Sequence, residues 1–258
     1  MVDKLEGFVL STGRTGTVSM ASLLNSAEKI YSVHEPKPSR RYVFYSRFYF
    51  EGRLNRSFIL NSYLKNRGTL LNNLEESRYI EVNPFFWSAG HIFKNKANLK
   101  ILHIVRDIEA YIKSRLNFGA SGFYKYIIDY VPFYQLNVSK LLMEKKIDWS
   151  NLSKAERETW IWYYMNRKIE ENREIHQYLR IRFEDLFLSS NEIKSKNLKD
   201  ISDFFGIDLD IDMCLDLLGK KQNPSNNRKI DKFGDLKKDI KDNVYNISEP
   251  MRKRYGYI

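Results

Sequence analysis

The fold follows from one stretch, Phe8-Val9-Leu10-Ser11-Thr12-Gly13-Arg14-Thr15-Gly16-Thr17, with Val18-Ser19-Met20-Ala21-Ser22-Leu23-Leu24 directly behind it. It predicts a short apolar strand, a turn of small and hydroxyl residues, and a helix with apolar residues at helical spacing. The unpaired N–H groups and the positive dipole end of such a helix favour an anion. Gly13 and Gly16 let the backbone approach an oxyanion closely, and Arg14 adds a positive charge. The hydroxyl donors of the turn are Ser11, Thr12, Thr15 and Thr17.

The spacing of the glycines in this turn restricts which kind of phosphate-binding loop it can be. A loop that binds ATP has the pattern G-x-x-x-x-G-K-[ST], whereas Gly13 and Gly16 are three residues apart and no Lys follows Gly16. What stands here is Arg14-Thr15-Gly16-Thr17: a basic residue, a hydroxyl residue, Gly and another hydroxyl residue. This pattern resembles the 5′-phosphosulfate loop of sulfotransferases. The other interpretation is an ordinary glycine-rich turn between a strand and a helix.

Composition indicates a globular chain that forms a single domain over residues 1–258. The hydrophobic fraction is 43% and no apolar run approaches the ~20 residues of a membrane span. We expect no signal peptide, because Asp3, Lys4 and Glu6 precede the first apolar run. A single Cys cannot form an internal disulfide, which favours a reducing, cytoplasmic location. Cys214 is expected to be a buried helix residue. The four His are scattered along the chain, and together with the single Cys they show no spacing typical of metal ligands.

The net charge of +11 predicts either a solvated basic surface or an anionic partner. Nucleic acid is disfavoured, because the charge is spread along the chain and no zinc-finger, homeodomain or RNA-recognition signature is present. A small polyanionic cofactor, together with an anionic acceptor, accounts for the charge equally well.

The order of the apolar segments predicts an α/β fold with a mostly parallel sheet of about five strands flanked by helices. The expected strands are 8–10, 30–33, 78–84, 99–105 and 178–183. The sulfotransferase resemblance implies that this sheet is of the kind found in P-loop NTPases. Helical, aromatic-rich insertions are expected over about 39–78 and 117–176, and a basic C-terminal tail over about 220–258. The aromatic residues of 39–78 belong either to the core or to an acceptor groove.

Individual residues predict where several helices begin and end. Gly52 and Gly68 are expected to break the helical segment 39–78. Asp107 is the predicted N-cap of a helix over 108–116, and Ser153-Lys154-Ala155-Glu156 is a capping box that opens a helix through about His176. Further helices are expected over about 192–205 and up to Gly219, whereas 117–152 forms an insertion or lid.

A second motif follows the fourth predicted strand. Arg106 can direct two donors at a phosphate, and Ser114 lies eight residues further along. This arrangement resembles the 3′-phosphate site of sulfotransferases. A structural ion pair of Arg106 with Asp107 remains the alternative.

Two later segments complete the resemblance. Phe183-Glu184-Asp185-Leu186 is similar to the Tyr-Glu-Asp-Leu/Met segment of this family, and Phe183 matches the position whose ring lies near the adenine. Its alternative is a packed strand residue. Asn227-Arg228-Lys229 and Gly234-Asp235-Leu236 resemble the tail that closes on the 3′-phosphate, with Leu236 where the family has Trp. Arg228 and Lys229 are therefore either phosphate contacts or part of a solvated basic tail.

The resemblance implies transfer of a sulfuryl group from 3′-phosphoadenosine 5′-phosphosulfate (PAPS) to an acceptor hydroxyl or amine, without a metal and with 3′-phosphoadenosine 5′-phosphate (PAP) as product. Arg14 and the loop N–H groups then stabilise the leaving group. Asn83 stands near the position where cytosolic members carry a His, so the expected general base is Glu35, as in carbohydrate and bacterial members, followed by His34 and Glu81. The alternative for Glu35 is a turn carboxylate paired with a neighbouring Lys or Arg.

The loop, His34-Glu35, Asn83 and Arg106 all follow strand ends, so we expect them to converge on one cleft. Two other functions are open: a P-loop-like nucleotide kinase or phosphotransferase, and a basic polyanion-binding module. The acceptor is expected to be a carbohydrate, a glycolipid or another small molecule. The sequence does not decide among them, nor does it indicate the oligomeric state.

Overall fold

The computed structural model describes residues 2–74, 78–117, 146–219 and 233–258. Contacts divide the chain into two compact units, Met1–Val105 with Lys168–Pro224, and Arg106–Arg167 with Ser225–Ile258. The prediction of a single domain stays a prediction. Most of the predicted insertion over 117–152, with the proposed lid, lies outside the described residues.

The first unit contains a five-stranded sheet with the order β2-β3-β1-β4-β5, in which every neighbouring pair is parallel. The strands are β1 Leu5–Ser11, β2 Ile30–His34, β3 Arg78–Val82, β4 Lys100–Val105 and β5 Gln177–Arg182. The predicted α/β fold with a parallel sheet is thereby confirmed. Phe183, expected in the fifth strand, instead begins a helix.

Helices of the first unit cover both faces of its sheet, because the central strands are buried on both sides and largely apolar. The described helices of the first unit are α1 Thr17–Leu24, α2 Arg41–Phe50, α3 Arg56–Asn73, α4 Ala89–Ile92, α7 Phe183–Phe187, α8 Asn191–Phe205 and α9 Ile211–Gly219. Those of the second unit are α5 Ile108–Asn117, α6 Lys154–Glu170 and α10 Lys238–Tyr255. Short 3-10 segments occupy Val2–Lys4 and Glu171–Glu174.

Successive side chains of β1 point to opposite faces of the sheet. Val9 packs into an aliphatic core with Leu23 of α1 and Phe205 of α8, where Cys214 is buried as predicted. Phe8 faces an aromatic core, where the centroid of its ring lies 5.9 Å from that of Tyr63. Of the aromatic residues of 39–78, Tyr42 and Tyr63 are fully buried and belong to this core, whereas Phe58 is 50% exposed.

Capping residues confirm several predicted helix ends. The Glu109 N–H donates to Asp107 Oδ1 at 3.0 Å, and the capping box closes through Glu156 N to Ser153 Oγ (3.3 Å) and Ser153 N to Glu156 Oε2 (2.8 Å). Gly206 ends α8 with a left-handed backbone, φ 61°. The long helix is shorter than predicted, because α6 gives way to a 3-10 turn after Glu170.

One prediction about helices is wrong. Gly52 does end the α2 segment with φ 72°, but Gly68 lies buried inside α3. Tertiary packing outweighs the roughly 1 kcal/mol that glycine costs a helix. Within the predicted basic tail, α10 has a buried stripe formed by Val244, Met251 and Tyr255.

Candidate functional site

The loop between β1 and α1 has a left-handed backbone at three positions. The φ angles are 81° at Gly13, 59° at Arg14 and 69° at Gly16. Gly16 is the N-cap of α1, and no side chain in the described part of the chain caps this helix. The N-terminal N–H groups of α1 are therefore not occupied by a capping side chain, which is the arrangement that an oxyanion ligand requires.

The hydroxyl residues of the loop have two different environments. Ser11 and Thr15 are fully buried, and Ser11 Oγ accepts from the Gly13 N–H (3.1 Å) and from Thr15 Oγ1 (2.8 Å). These two side chains hold the loop in shape. Thr12 Oγ1 is buried and has no hydrogen-bond partner among the described residues, whereas the Arg14 side chain is exposed. A buried hydroxyl of this kind suits an additional acceptor supplied by a ligand.

An aromatic pair lies against the end of this loop. A Cβ atom at Gly16 would lie 2.5 Å from Phe187 Cζ, so the ring fits only beside glycine. Phe187 stacks on Phe183 with 4.8 Å between the ring centroids and 24° between the planes. Both rings also pack against the aliphatic core. The sequence interpretation missed Phe187; the i, i+4 spacing from Phe183 could have indicated it only if both residues had been assigned to one helix.

The residues at the end of β2 lie beside the same loop. Thr17 Oγ1 is 2.9 Å from His34 Nε2, and this nitrogen is 3.3 Å from Glu35 Oε1. The Glu35 N–H donates to Val82 O of the neighbouring strand at 3.0 Å, and Glu35 itself has φ 46°. The structure thus brings the predicted loop and the predicted His34-Glu35 pair together.

Partial burial sets the ionisation of this pair. It raises the pKa of the Glu35 carboxyl above its ordinary value, although the Arg40 charge opposes the shift. It also lowers the pKa of His34. At neutral pH the imidazole is therefore uncharged, and Glu35 is a stronger base than a free carboxylate.

Two other predicted strand-end residues face inward. Glu81 is fully buried and accepts hydrogen bonds from Arg67 Nε (3.0 Å), Tyr63 Oη (3.1 Å) and Tyr79 Oη (3.0 Å). Asn83 is also fully buried and donates from Nδ2 to Glu81 Oε1 at 2.8 Å. These contacts give Glu81 and Asn83 structural roles. Among the described contacts, neither side chain belongs to the group that the loop forms with His34 and Glu35.

The second unit contains the predicted 3′-phosphate residues. Arg106 directly follows β4 in the chain, and its carbonyl oxygen accepts from Trp162 Nε1 at 3.1 Å. Ser114 is half-buried on α5. Asp107 caps this helix, and Arg252 Nε of α10 lies 3.6 Å from Asp107 Oδ2. Arg228 and Lys229 lie outside the described residues.

Within residues 2–74, 78–117, 146–219 and 233–258, no three His, Cys, Asp or Glu side chains are gathered as a metal ion would require. None of the helices in these ranges is both long and apolar enough to cross a bilayer.

Three solved structures with the same fold are sulfotransferases or sulfotransferase domains. The sulfotransferase domain of the Synechococcus PCC 7002 olefin synthase has a TM-score of 0.52 and 17% identity, covering 95% of this chain and 93% of that one. A sulfotransferase domain from the curacin biosynthetic pathway (TM-score 0.52, 14% identity) covers 96% and 97%. A sulfotransferase from Alicyclobacillus acidocaldarius (TM-score 0.52, 14% identity) covers 96% of each chain. No protein-family model and no curated protein match the sequence.

Proposed function

We propose that this protein is a sulfotransferase that moves a sulfuryl group from PAPS to an acceptor hydroxyl or amine and releases PAP. One observation carries the proposal: the left-handed loop at the start of α1 is joined through Thr17 and His34 to the half-buried carboxylate of Glu35. An anion cradle and a base with a raised pKa therefore lie side by side. The fold that carries them is that of sulfotransferase domains.

The residues of the loop fit the 5′-phosphosulfate end of this donor. Gly13 leaves the backbone open to close approach, the buried Thr12 hydroxyl lacks a partner among the described residues, and the Arg14 guanidinium is exposed. The Phe183–Phe187 pair offers a ring surface for the adenine. In the proposed complex Arg106 and Ser114 bind the 3′-phosphate, and Arg228 and Lys229 add further contacts.

The proposed chemistry divides between donor and protein. The donor, when bound, supplies a sulfuryl group: its sulfur bonds to the acceptor atom while the bond to the bridging oxygen breaks, and that oxygen keeps the electron pair. Glu35 takes the acceptor proton, and His34 holds the Glu35 carboxylate towards the loop. Arg14 and the N–H groups of α1 stabilise the negative charge that develops on the leaving oxygen. None of these roles requires a metal.

The proposed acceptor is a hydroxyl on a carbohydrate, a glycolipid or another small molecule, in a reducing, cytoplasmic setting and without nucleic acid as a partner. Two of the structural neighbours are domains from an olefin synthase and from the curacin pathway. Small molecules of biosynthetic origin therefore belong in any acceptor screen.

Ligand binding tests the proposal directly. Thermal shift and calorimetry with PAP should show stabilisation and binding, whereas ATP with Mg²⁺ should give neither. Transfer of labelled sulfate from PAPS to glycans, phenols, lipids and amines then identifies the acceptor. Stabilisation by ATP–Mg²⁺ without PAP binding would overturn the proposal in favour of a kinase or phosphotransferase, since that class needs the nucleotide with its metal. Binding only to long polyanions, with steep salt dependence, would overturn it in favour of a polyanion-binding module.

A further inference from the structure

Arg67 is a buried arginine in the middle of α3, with 2% of its side chain exposed. Its Nε and Nη2 donate to the two oxygens of Glu81 at 3.0 and 3.3 Å. Its other edge donates to backbone carbonyls: Nη2 to Pro36 O and Nη1 to Lys37 O, each at 2.7 Å. One guanidinium therefore joins strand β3 to the turn that follows β2.

The Glu81 end of this link is firmly anchored. Besides the two bonds from Arg67, the carboxylate accepts from Tyr63, Tyr79 and Asn83, and none of its surface is exposed. Burial raises the pKa of the Tyr63 and Tyr79 phenols, and the Glu81 charge adds to this, so both remain protonated donors. A network with this many bonds fixes the position of the Arg67 guanidinium.

The other end of the link holds the backbone next to Glu35. Pro36 and Lys37, whose carbonyls Arg67 binds, are the two residues directly after Glu35. Glu35 has φ 46°, a left-handed backbone that is unfavourable for a residue with a side chain and persists only where the surroundings determine it. The Glu35 N–H to Val82 O bond holds the turn from one side, and Arg67 holds it from the other.

We propose that Arg67 is a positioning residue for Glu35: with Glu81 as its anchor, it fixes the Pro36–Lys37 backbone and thereby aims the Glu35 carboxylate at the acceptor. The inference rests on the proposed function, because it takes Glu35 as the base. Arg67 does not touch the acceptor or the donor; it acts through the geometry of the turn.

Arginine is required at this position because of its shape. The planar guanidinium binds a carboxylate with one edge and carbonyls with the other, whereas a lysine ammonium is a point charge that cannot span both. Arg67→Lys therefore keeps the charge beside Glu81 but releases the turn. A misplacement of the base by about 1 Å can cost up to about 100-fold in rate.

The test compares Arg67→Lys with Arg47→Lys, a matched control. Arg47 of α2 is also a mostly buried arginine. Its Nε lies 2.7 Å from Oε1 of Glu51, the residue directly after the helix, and it has no part in the proposed site. We expect Arg67→Lys to lower kcat about 10- to 100-fold while KM for PAPS and the affinity for PAP stay within about twofold. Arg47→Lys should leave all three within about twofold. Unchanged kcat in Arg67→Lys, or a loss of PAP affinity equal to the loss of kcat, would overturn the inference.

A second measurement separates this inference from the proposed function. The NMR titration of the His34 ring reports its contact with Glu35, which is 3.3 Å away, and needs no turnover. We expect it to shift in Arg67→Lys and not in Arg47→Lys. If wild-type protein neither binds PAP nor transfers sulfate, the proposed function fails, and the His34 titration alone then decides whether Arg67 positions Glu35. If Arg67→Lys does not fold, Tyr79→Phe replaces it, because this variant removes one of the hydrogen bonds that hold Glu81, the anchor of Arg67. If both the His34 titration and kcat are unchanged in Tyr79→Phe, the inference is overturned.

Discussion

Two glutamates, Glu35 directly after β2 and Glu81 on the neighbouring strand β3, have opposite environments. The register pairs Val33 of β2 with Glu81 of β3, so the two carboxylates lie within two residues of each other along the sheet. Glu81 is fully enclosed and its oxygens accept from Arg67, two tyrosines and Asn83. The Glu35 side chain is 30% exposed, contacts His34 and has a raised pKa.

This difference shows that burial alone does not identify a base. A carboxylate that is surrounded by donors and paired with arginine is fixed in one position by its several hydrogen bonds. A carboxylate that is half-buried, with few donors and an open edge, gains basicity and can still receive a proton. Glu35 therefore has the environment of a catalytic group, and Glu81 has that of a structural one.

The largest expected effect is loss of turnover in Glu35→Gln. The amide cannot take the acceptor proton, so kcat should fall by about 10²–10⁴ while the affinity for PAP is retained. Steady-state kinetics with labelled PAPS and calorimetry with PAP measure the two quantities. Near-normal turnover would remove Glu35 from the role of base and would leave His34 as the next candidate.

Glu81→Gln should act on stability. It leaves the Arg67 guanidinium buried without its counter-ion, and breaking a buried pair in this way costs about 3–5 kcal/mol. Denaturant titration measures the loss in the free energy of unfolding. A loss below about 1 kcal/mol would contradict the structural role given to Glu81.

The pH dependence should follow Glu35. Its pKa is raised above 4.5, so the acidic limb of log kcat/KM should lie above pH 4.5 in wild type. The folded protein also binds more protons at this group than the unfolded chain does. Stability relative to Glu35→Gln is therefore greatest below pH 4.5 and declines as pH rises through the folded pKa. Stability that increases over this interval, relative to the variant, would contradict the raised pKa.

The smallest effect is expected from the backbone of Glu35. Glu35→Gly and Glu35→Ala both lack the carboxylate, but only glycine adopts φ 46° without steric cost. The glycine variant should be more stable than the alanine variant by about 1 kcal/mol, and both should be inactive. Thermal and denaturant unfolding of the pair test this. Equal stability would show that the surroundings do not hold a strained backbone at this residue.

The sequence was sufficient to predict the sheet and the order of strands and helices along the chain. Apolar runs bounded by Gly, Pro and charged residues are strong local signals, and they located all five strands. Capping residues such as Asp107 and Ser153 located helix starts for the same reason. The error at Gly68 arose where packing of distant residues outweighed local propensity.

The two glutamates could be ranked from the sequence but not explained by it. Glu35 was predicted as the base because of the resemblance to sulfotransferases, some of which carry a Glu directly after the second strand. Nothing local to Glu81 indicates that Arg67 and Tyr63 reach it from α3. The contact between Thr17 and His34 is likewise tertiary, since β3 separates β2 from β1 in the sheet. The roles of Arg106, Ser114, Arg228 and Lys229 stay predictions.

The central place of β1 has a consequence for biosynthesis. The register pairs Leu5 with Tyr79 and Gly7 with Lys100, so β1 is made long before either of its neighbours. At ribosomal rates of about 5–20 residues per second, the delay until β4 is translated is on the order of 5–20 s. Until β3 is translated, the apolar segment Phe8-Val9-Leu10 has neither of its neighbouring strands to pair with. The loop that gives the protein its proposed chemistry thus gains its shape late, although its residues are translated early.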